Sequence, residues 1–388
     1  MSRPLPSIAG LLCIAFALAR CGTSSSPSSG GASGGAPSTD AGTGSPDAGS
    51  GNADGGTALD GGSPDGGTTT ATRYDVVDIE AVSGAFIVAG LNDVGQVLGK
   101  STSGSLIYDS RSGSVTMIHP PENVTPVSIN DRGEVLFTEE ARDPNSPWWV
   151  RSFVQRDSVK TLLPSFGGRT TTGLHLGPNG DVVGEGEYPD LTHHAFLWTS
   201  GSSALRDLGT LGGTTSAATH VAGDGTIVGW SFTGRDSSTT NAFVCHDGNM
   251  MALLGVGGPS SAWWQSSGGA IAGEGSTIPN SKADVQPLLW SGGEVHVLAK
   301  LPGDSFGVAL AVNASGDVVG YTDTTVTNSN AHAVLWRGGG EPVRIDSLAA
   351  LPEGVSLWHG VSINDRGQIL AYGGRPQTGA RYFLLTPR

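Results

Sequence analysis

Asn92-Asp93-Val94-Gly95-Gln96-Val97-Leu98-Gly99 opens a pattern that returns six more times along 388 residues. The pattern is a polar turn, a glycine, any residue, an aliphatic-rich pair and usually a second glycine. It reads Asn130-Asp131-Arg132-Gly133-Glu134-Val135-Leu136, then Asn179-Gly180-Asp181-Val182-Val183-Gly184 and Asp224-Gly225-Thr226-Ile227-Val228-Gly229. It continues as Gly269-Ala270-Ile271-Ala272-Gly273, Asn313-Ala314-Ser315-Gly316-Asp317-Val318-Val319-Gly320 and Asn364-Asp365-Arg366-Gly367-Gln368-Ile369-Leu370. The turn glycines are spaced by 38, 47, 45, 44, 47 and 51 residues. An Asn/Asp-rich turn ending in glycine supplies the positive φ of a tight hairpin, so each copy joins two short strands.

A third strand follows each hairpin, as in Ala195-Phe196-Leu197-Trp198, Ala242-Phe243-Val244 and Ala333-Val334-Leu335-Trp336. A fourth follows in six copies, including Val115 to Ile118, Asp207 to Leu211 and Val343 to Leu348. Four strands at this period describe the blade of a propeller. After Tyr382-Phe383-Leu384-Leu385 only three residues remain, so the seventh copy lacks its fourth strand. Tyr74 to Ile79, ahead of the first turn, fits the missing place. The expected fold is an all-β, seven-bladed propeller of four-stranded blades over 73–388. Its ring closes when the strand at about 74–79 pairs with the last blade, which leaves no sheet edge open. Composition agrees: 61 Gly and 22 Pro with 14% charged residues leave no material for long helices.

These copies resemble the HAF-repeat family of extracellular bacterial proteins, whose His-Ala-Phe stands here as His194-Ala195-Phe196. The stretch from Asp207-Leu208-Gly209-Thr210-Leu211-Gly212-Gly213 to Asn241-Ala242-Phe243 is the nearest match, and the resemblance covers about 74–386. It implies export and a propeller-like repeat. It carries no established activity and no catalytic residue to transfer.

Residues 1–20 read as a signal peptide: Arg3, then an apolar run from Leu5 to Ala19 that is too short to span a bilayer. Ala17-Leu18-Ala19 offers one cleavage site. Leu18-Ala19-Arg20-Cys21 resembles the bacterial lipobox, with Cys21 as the lipidated residue, although Arg20 stands where a small residue is preferred. From Gly22 to Thr72 every residue but Leu59 is Gly, Ala, Ser, Thr, Pro, Asp or Asn. Such a segment cannot bury enough apolar surface to order itself, so 21–72 is expected to be a disordered tether reaching about 40 Å. The expected address is therefore extracellular or anchored to a bacterial outer membrane. Contact with the membrane would be through the lipid alone.

The net charge of −14 argues against nucleic acid as a partner. Without the leader and the tether, 30 acids face 19 bases, a charge that first of all keeps an exported protein soluble and would also suit neutral or cationic ligands. Cys245 is expected to be a packed thiol, and His194 and His332 hold a repeat position, which points to a structural hydrogen bond. No Cys/His zinc spacing, calcium loop or phosphate-cradling glycine loop is present, so neither metal nor cofactor is expected.

Binding usually resides in the irregular loops of a rigid scaffold. In a four-stranded blade, the loops between strands two and three emerge on the same face as those between blades. Here that face carries Trp148, Trp149, Tyr188, Trp263, Trp264 and Trp358, aromatics able to stack on sugars or anchor a protein, while the plainer reading of the tryptophans is that they wedge between blades. The leading expectation is a monomeric, non-enzymatic module for an unidentified protein or glycan. One alternative is a polysaccharide hydrolase or lyase using Glu139, Glu140, Glu185 or Glu187, whose carboxylates would need to stand about 5–9.5 Å apart. The other is a passive envelope component.

Overall fold

The computed structural model describes residues 73–388 except 119–122, 144, 235–238, 326–329 and 376–378. The signal segment, Cys21 and the tether lie outside the described residues. Those described form seven four-stranded antiparallel sheets, a seven-bladed β-propeller with almost no helix. The third blade shows the plan. Its strands are Thr171–Leu176, Val182–Glu187, His193–Trp198 and Arg206–Gly209, each hydrogen-bonded to the next.

All seven predicted turn glycines have positive φ, from 73° at Gly367 to 87° at Gly95. Each donates its N–H to the carbonyl three residues back, at 2.9–3.1 Å. The residue at that position is Asn92, Asn130, Gly177, Ala222, Ser266, Asn313 or Asn364 in successive blades. Where it is asparagine, Oδ1 accepts the N–H four residues on, as from Gln96 at 2.8 Å and Gln368 at 2.9 Å. Its Nδ2 then reaches sideways to the same position of the next blade: Asn313 to Asn364 O, Asn364 to Asn92 O, Asn92 to Asn130 O and Asn130 to Gly177 O, at 3.0–3.3 Å.

The last sheet mixes both ends of the described chain. Tyr74–Asp78 pairs with Gly379–Pro387, in register from Tyr74↔Pro387 to Asp78↔Phe383. Arg381 and Arg388 brace it through Asp78 and Asp75 at 2.9 and 2.8 Å. At Ile79, expected to be strand, a one-turn helix begins instead: the Asp78 carboxylate caps it through the Ala81 N–H and Gly84 ends it at φ 71°. In the sixth blade, the strand expected over 343–348 is Pro342–Arg344, followed by a 3-10 turn, Ile345–Leu348, whose Ile345 and Leu348 are buried.

The core lies between neighbouring blades. Leu136, Val154 and Leu163 of the second blade meet Leu176, Phe196 and Trp198 of the third, and Leu370 and Leu384 meet Val97 and Leu106 where the seventh blade adjoins the first. Each such side chain contributes about 1.5–3 kcal/mol by leaving water. The third-strand tryptophans satisfy their indole N–H on carbonyls, Trp336 on Ala299 O at 2.7 Å. In His-Ala-Phe, the Ala195 N–H is donated to Ser216 Oγ at the start of the next blade's inner strand, and Ala242 repeats this with Ser260.

Every inner strand carries a β-bulge. An unpaired residue stands six before each turn glycine, Ala89, Val127, Leu174, Thr219, Trp263, Leu310 or Val361, and the seventh inner strand has a second one at Trp358. The bulge explains the second glycine of the motif. A Cβ on Gly184, Gly229, Gly273 or Gly320 would overlap a carbonyl oxygen of its own inner strand: Thr172, Ala217, Ser261 or Val308. The two glycines of one blade therefore make opposite demands, one on φ and one on space. Gly225→Ala, at φ 83° with open space around it, should lower stability by about 1 kcal/mol. Gly229→Ala, which must displace Ala217 O and the Phe243 ring, should cost about 3 kcal/mol. Urea titration of the two variants compares them directly, and equal losses would contradict the close approach.

Candidate functional site

Two regions gather aromatic and polar side chains. The first is on the loop face of the second blade, where residues 141–149 connect Val135–Glu140 to Val150–Arg156. Trp149 is 45% exposed and Trp148 half-buried. The Arg151 guanidinium sits 4.0 Å over the Trp148 ring and that of Arg169 sits 4.2 Å over Trp149. Arg169 also donates to Ser146 O and its carbonyl accepts the Trp149 N–H at 2.7 Å, so both indoles are held in place. Beside them is an open groove of about 370 Å³ lined by Asn123, Glu139, Ala141, Arg142, Asp143, Ser146 and Trp148.

Glu139 in this groove accepts from Arg151 at 2.9 Å, Lys160 at 3.2 Å and Asn123 at 3.2 Å. Burial alone would raise its pKa. The three hydrogen bonds outweigh burial and hold the carboxyl below the usual range.

Tyr188 is part of the third blade's framework. Its ring stacks on Phe166 at 4.7 Å, and its hydroxyl donates to Asp207 at 2.9 Å. Burial, then the hydrogen bond and charge of Asp207, push that hydroxyl up to about 12. His194 Nδ1 lies 3.0 Å from the same carboxylate, and His332 Nδ1 lies 3.3 Å from Asp304, so the repeat-position histidines are hydrogen-bonded to acids. Cys245 is buried in the core between blades three and four.

Trp263, Trp264 and Trp358, expected in inter-blade connections, lie on inner strands: the first two on Ser260–Gln265, the third on Ser356–Ile363. Trp263 and Trp358 pack against the same cluster, Phe306, Val308, Leu310 and Tyr321. The structure thus separates Trp148 and Trp149, on the loop face, from the inner-strand tryptophans. A tryptophan pair in a glycine-rich segment is compatible with loop or strand from sequence. The bulge is what allows two successive indoles to turn to the same side.

That side is the central channel, the second region. The seven bulge residues six before the turn glycines all line a cavity of about 110 Å³ in it. Four of them, Val127, Leu174, Thr219 and Leu310, are each 8% exposed. Thr219 spends its hydroxyl on Val228 O and Ala262 O, so the collar is apolar nearly all round. One residue further along the strands, His175, His220 and Trp264 form a layer of mutually tilted rings, with ring centroids 4.1 Å apart for the two imidazoles and 4.2 Å for His220–Trp264. His175 and Trp264 line both this cavity and a second one, of about 120 Å³, at the mouth formed by the Asn/Asp turns. The layer therefore divides an apolar compartment from a polar vestibule.

Burial dominates the ionisation of these imidazoles. It drives His175 down to about 3, and His220 well below its usual value with a further push from His175. His175 Nδ1 accepts the Val221 N–H at 3.3 Å, which places the proton of the neutral ring on Nε2. His220 Nδ1, Gln265 Oε1 and Trp263 Nε1 are buried without a protein partner. Sequence reading missed the histidines and the collar, although their offset from each turn glycine is constant. Among the described residues no group of three or more His, Cys, Asp or Glu could hold a metal ion.

The neutral histidines give stability a pH dependence of definite sign. Their folded-state pKa values lie below the unfolded value of about 6.5, so their contribution is complete above that pH and is lost as pH falls through it. His359, buried and held at about 4, adds to the effect. The unfolding free energy should therefore fall by up to about 1.4 kcal/mol per pH unit for each histidine. Urea titrations at pH 7, 6 and 5 should show this slope, and His175→Gln with His220→Gln should flatten it. A slope unchanged in the double variant would contradict a buried, neutral layer.

No protein-family model matches this sequence, and no curated protein matches it. Solved structures do share the architecture. The β-propeller domain of the trilobed protease from Pyrococcus furiosus, which has an open velcro topology, aligns at 10% identity over 82% of this chain and 94% of that one, with a TM-score of 0.52. TolB from Acinetobacter baumannii aligns at 13% identity over 61% of this chain and 58% of its own, TM-score 0.41. Pyrococcus horikoshii acylaminoacyl peptidase aligns at 15% identity over 67% and 45%, TM-score 0.48. At these identities the likeness is one of fold alone: the chain is a β-propeller.

Proposed function

We propose that this chain is an exported, lipid-anchored β-propeller that acts as a non-enzymatic binding module, with a neutral glycan as ligand of its loop face and a protein as the alternative partner. The observation that carries the reading is the groove beside Trp148 and Trp149. It sets indole surface next to donors and acceptors of both signs, Asn123, Arg142, Asp143 and Ser146, which suits stacking on a sugar ring and hydrogen bonding to its hydroxyls. Arg169 covers one face of Trp149 and fixes the ring, while the residue keeps nearly half its surface exposed.

Hydrolysis or lysis by the loop carboxylates fits less well. Glycoside cleavage needs an acid whose pKa is raised, and Glu139 is held down by two cations. Glu185 lines the channel and Glu187 is buried, both in the third blade. The export and the anchor rest on the leader and Cys21. They support tethering at a membrane surface.

Affinity electrophoresis through gels containing neutral polysaccharides tests the binding. Retardation should appear with at least one glycan and weaken about tenfold in Trp148→Ala and Trp149→Ala, the worth of one aromatic contact. Retardation that persists undiminished in both variants, or absence of retardation with every glycan, would overturn the glycan assignment. Intact mass of the membrane-recovered protein tests the anchor. A lipid-modified chain beginning at Cys21 is expected, and an unmodified chain beginning at Arg20 would rule it out.

A further inference from the structure

The central channel has the features of a second, chemically different binding site. Its apolar compartment is ringed by the seven bulge residues, one from each blade, and closed on one side by the His175–His220–Trp264 layer. Among its lining residues there is no lysine or arginine, the acid Glu185 is present, and His175 is neutral. An anion would therefore meet only unfavourable charge there. The indole N–H of Trp263 is buried in the collar with no acceptor from the protein. A donor in that state is destabilising until something accepts from it. The compartment, about 110 Å³, is close in scale to apolar cavities of about 150 Å³ that take up benzene.

We propose that this compartment binds a small uncharged molecule with an apolar body of about six to eight heavy atoms and one hydrogen-bond acceptor, which takes the Trp263 Nε1–H. The body replaces solvent against Leu174, Leu310, Val127 and Val361, and the acceptor pairs the otherwise orphaned donor. The site is independent of the loop-face groove: its tryptophan lies on an inner strand, and neither Trp148 nor Trp149 contributes to it.

Three ring compounds of similar size separate the contributions. Cyclohexanone carries the acceptor, methylenecyclohexane has its shape without the acceptor, and cyclohexanecarboxylate adds a negative charge. In ¹H–¹⁵N spectra of the full-length protein, cyclohexanone should shift one indole N–H resonance saturably, and that resonance should be the one missing in Trp263→Phe. Methylenecyclohexane should bind about five- to tenfold more weakly, the worth of one neutral hydrogen bond. The carboxylate should not saturate. Trp263→Phe should abolish the preference for the ketone while leaving binding of methylenecyclohexane in place. The comparison of the three probes on the unaltered protein needs no variant, so it stands even if Trp263→Phe fails to fold. No saturable shift with cyclohexanone, equal affinity for ketone and alkene, or equal binding of the carboxylate would each overturn the site. The glycan experiment reads a different face, so either result can fail without the other.

Discussion

An asparagine amide reaching sideways from a hairpin turn sets the spacing between neighbouring sheets in this protein. Asn313, Asn364, Asn92 and Asn130 each close their own turn with Oδ1 and donate from Nδ2 to the equivalent carbonyl of the next blade. A buried amide that lost this carbonyl would keep an unpaired donor, so the arrangement is stabilised by the cost of its alternatives as much as by the bond. The step from Asn364 to Asn92 crosses between blades separated by 272 positions in sequence, with the same geometry as steps between consecutive blades. Aspartates reinforce this part of the ring: the Asp93 carboxylate accepts the Asp365 N–H and that of Asp131 accepts the Asp93 N–H. Burial, followed by neighbouring acids, raises the Asp93 pKa despite that hydrogen bond. In the third, fourth and fifth blades Gly177, Ala222 and Ser266 stand in place of the asparagine, and the fourth blade joins the fifth through other hydrogen bonds, Thr219 Oγ1 to Ala262 O and Ala242 N–H to Ser260 Oγ, and through apolar packing such as Val228 on Ala262 and Leu288.

The bulges work in the radial direction. An extra residue in each inner strand increases local twist and turns two successive side chains towards the axis. It also brings an inner-strand carbonyl close to the second strand, which is why glycine recurs there. In the seventh blade the small residue is shared differently: Ala371 of the second strand faces Gly360 of the inner one. One backbone device thus accounts for the motif's final glycine and for the lining of the channel.

Much of the architecture was legible because turn chemistry is local. An Asn/Asp-rich turn with glycine at positive φ is readable from four letters, and seven copies at a steady period give the blade count. The ends of elements were less readable: Asp78 caps a helical turn where strand was expected, because a carboxylate can serve either context. The candidate site was legible only in part. Trp148 and Trp149 lie on the loop face as expected, while Trp263, Trp264 and Trp358 turn up on inner strands. Their orientation depends on an unpaired residue that leaves no signature of its own in composition. It shows only as a fixed distance to the turn glycine, with residues as different as Ala89, Thr219 and Trp263 in equivalent places. His175 and His220 gave no signal as a pair, since 45 positions separate them and only curvature of the ring sets them 4.1 Å apart.

The hydrogen bonding of Tyr74–Asp78 to Gly379–Pro387 orders events in time as well as in space. A ribosome delivers the first of these segments about three hundred residues before its partner. Until then six sheets can form from consecutive hairpins, but the seventh waits with its outermost strand already synthesised and nothing to add to. An exposed strand edge in that interval is a template for another chain. The seam is thus the slowest-forming junction of the molecule by loop length, and the point where a nascent chain most needs protection from its own copies.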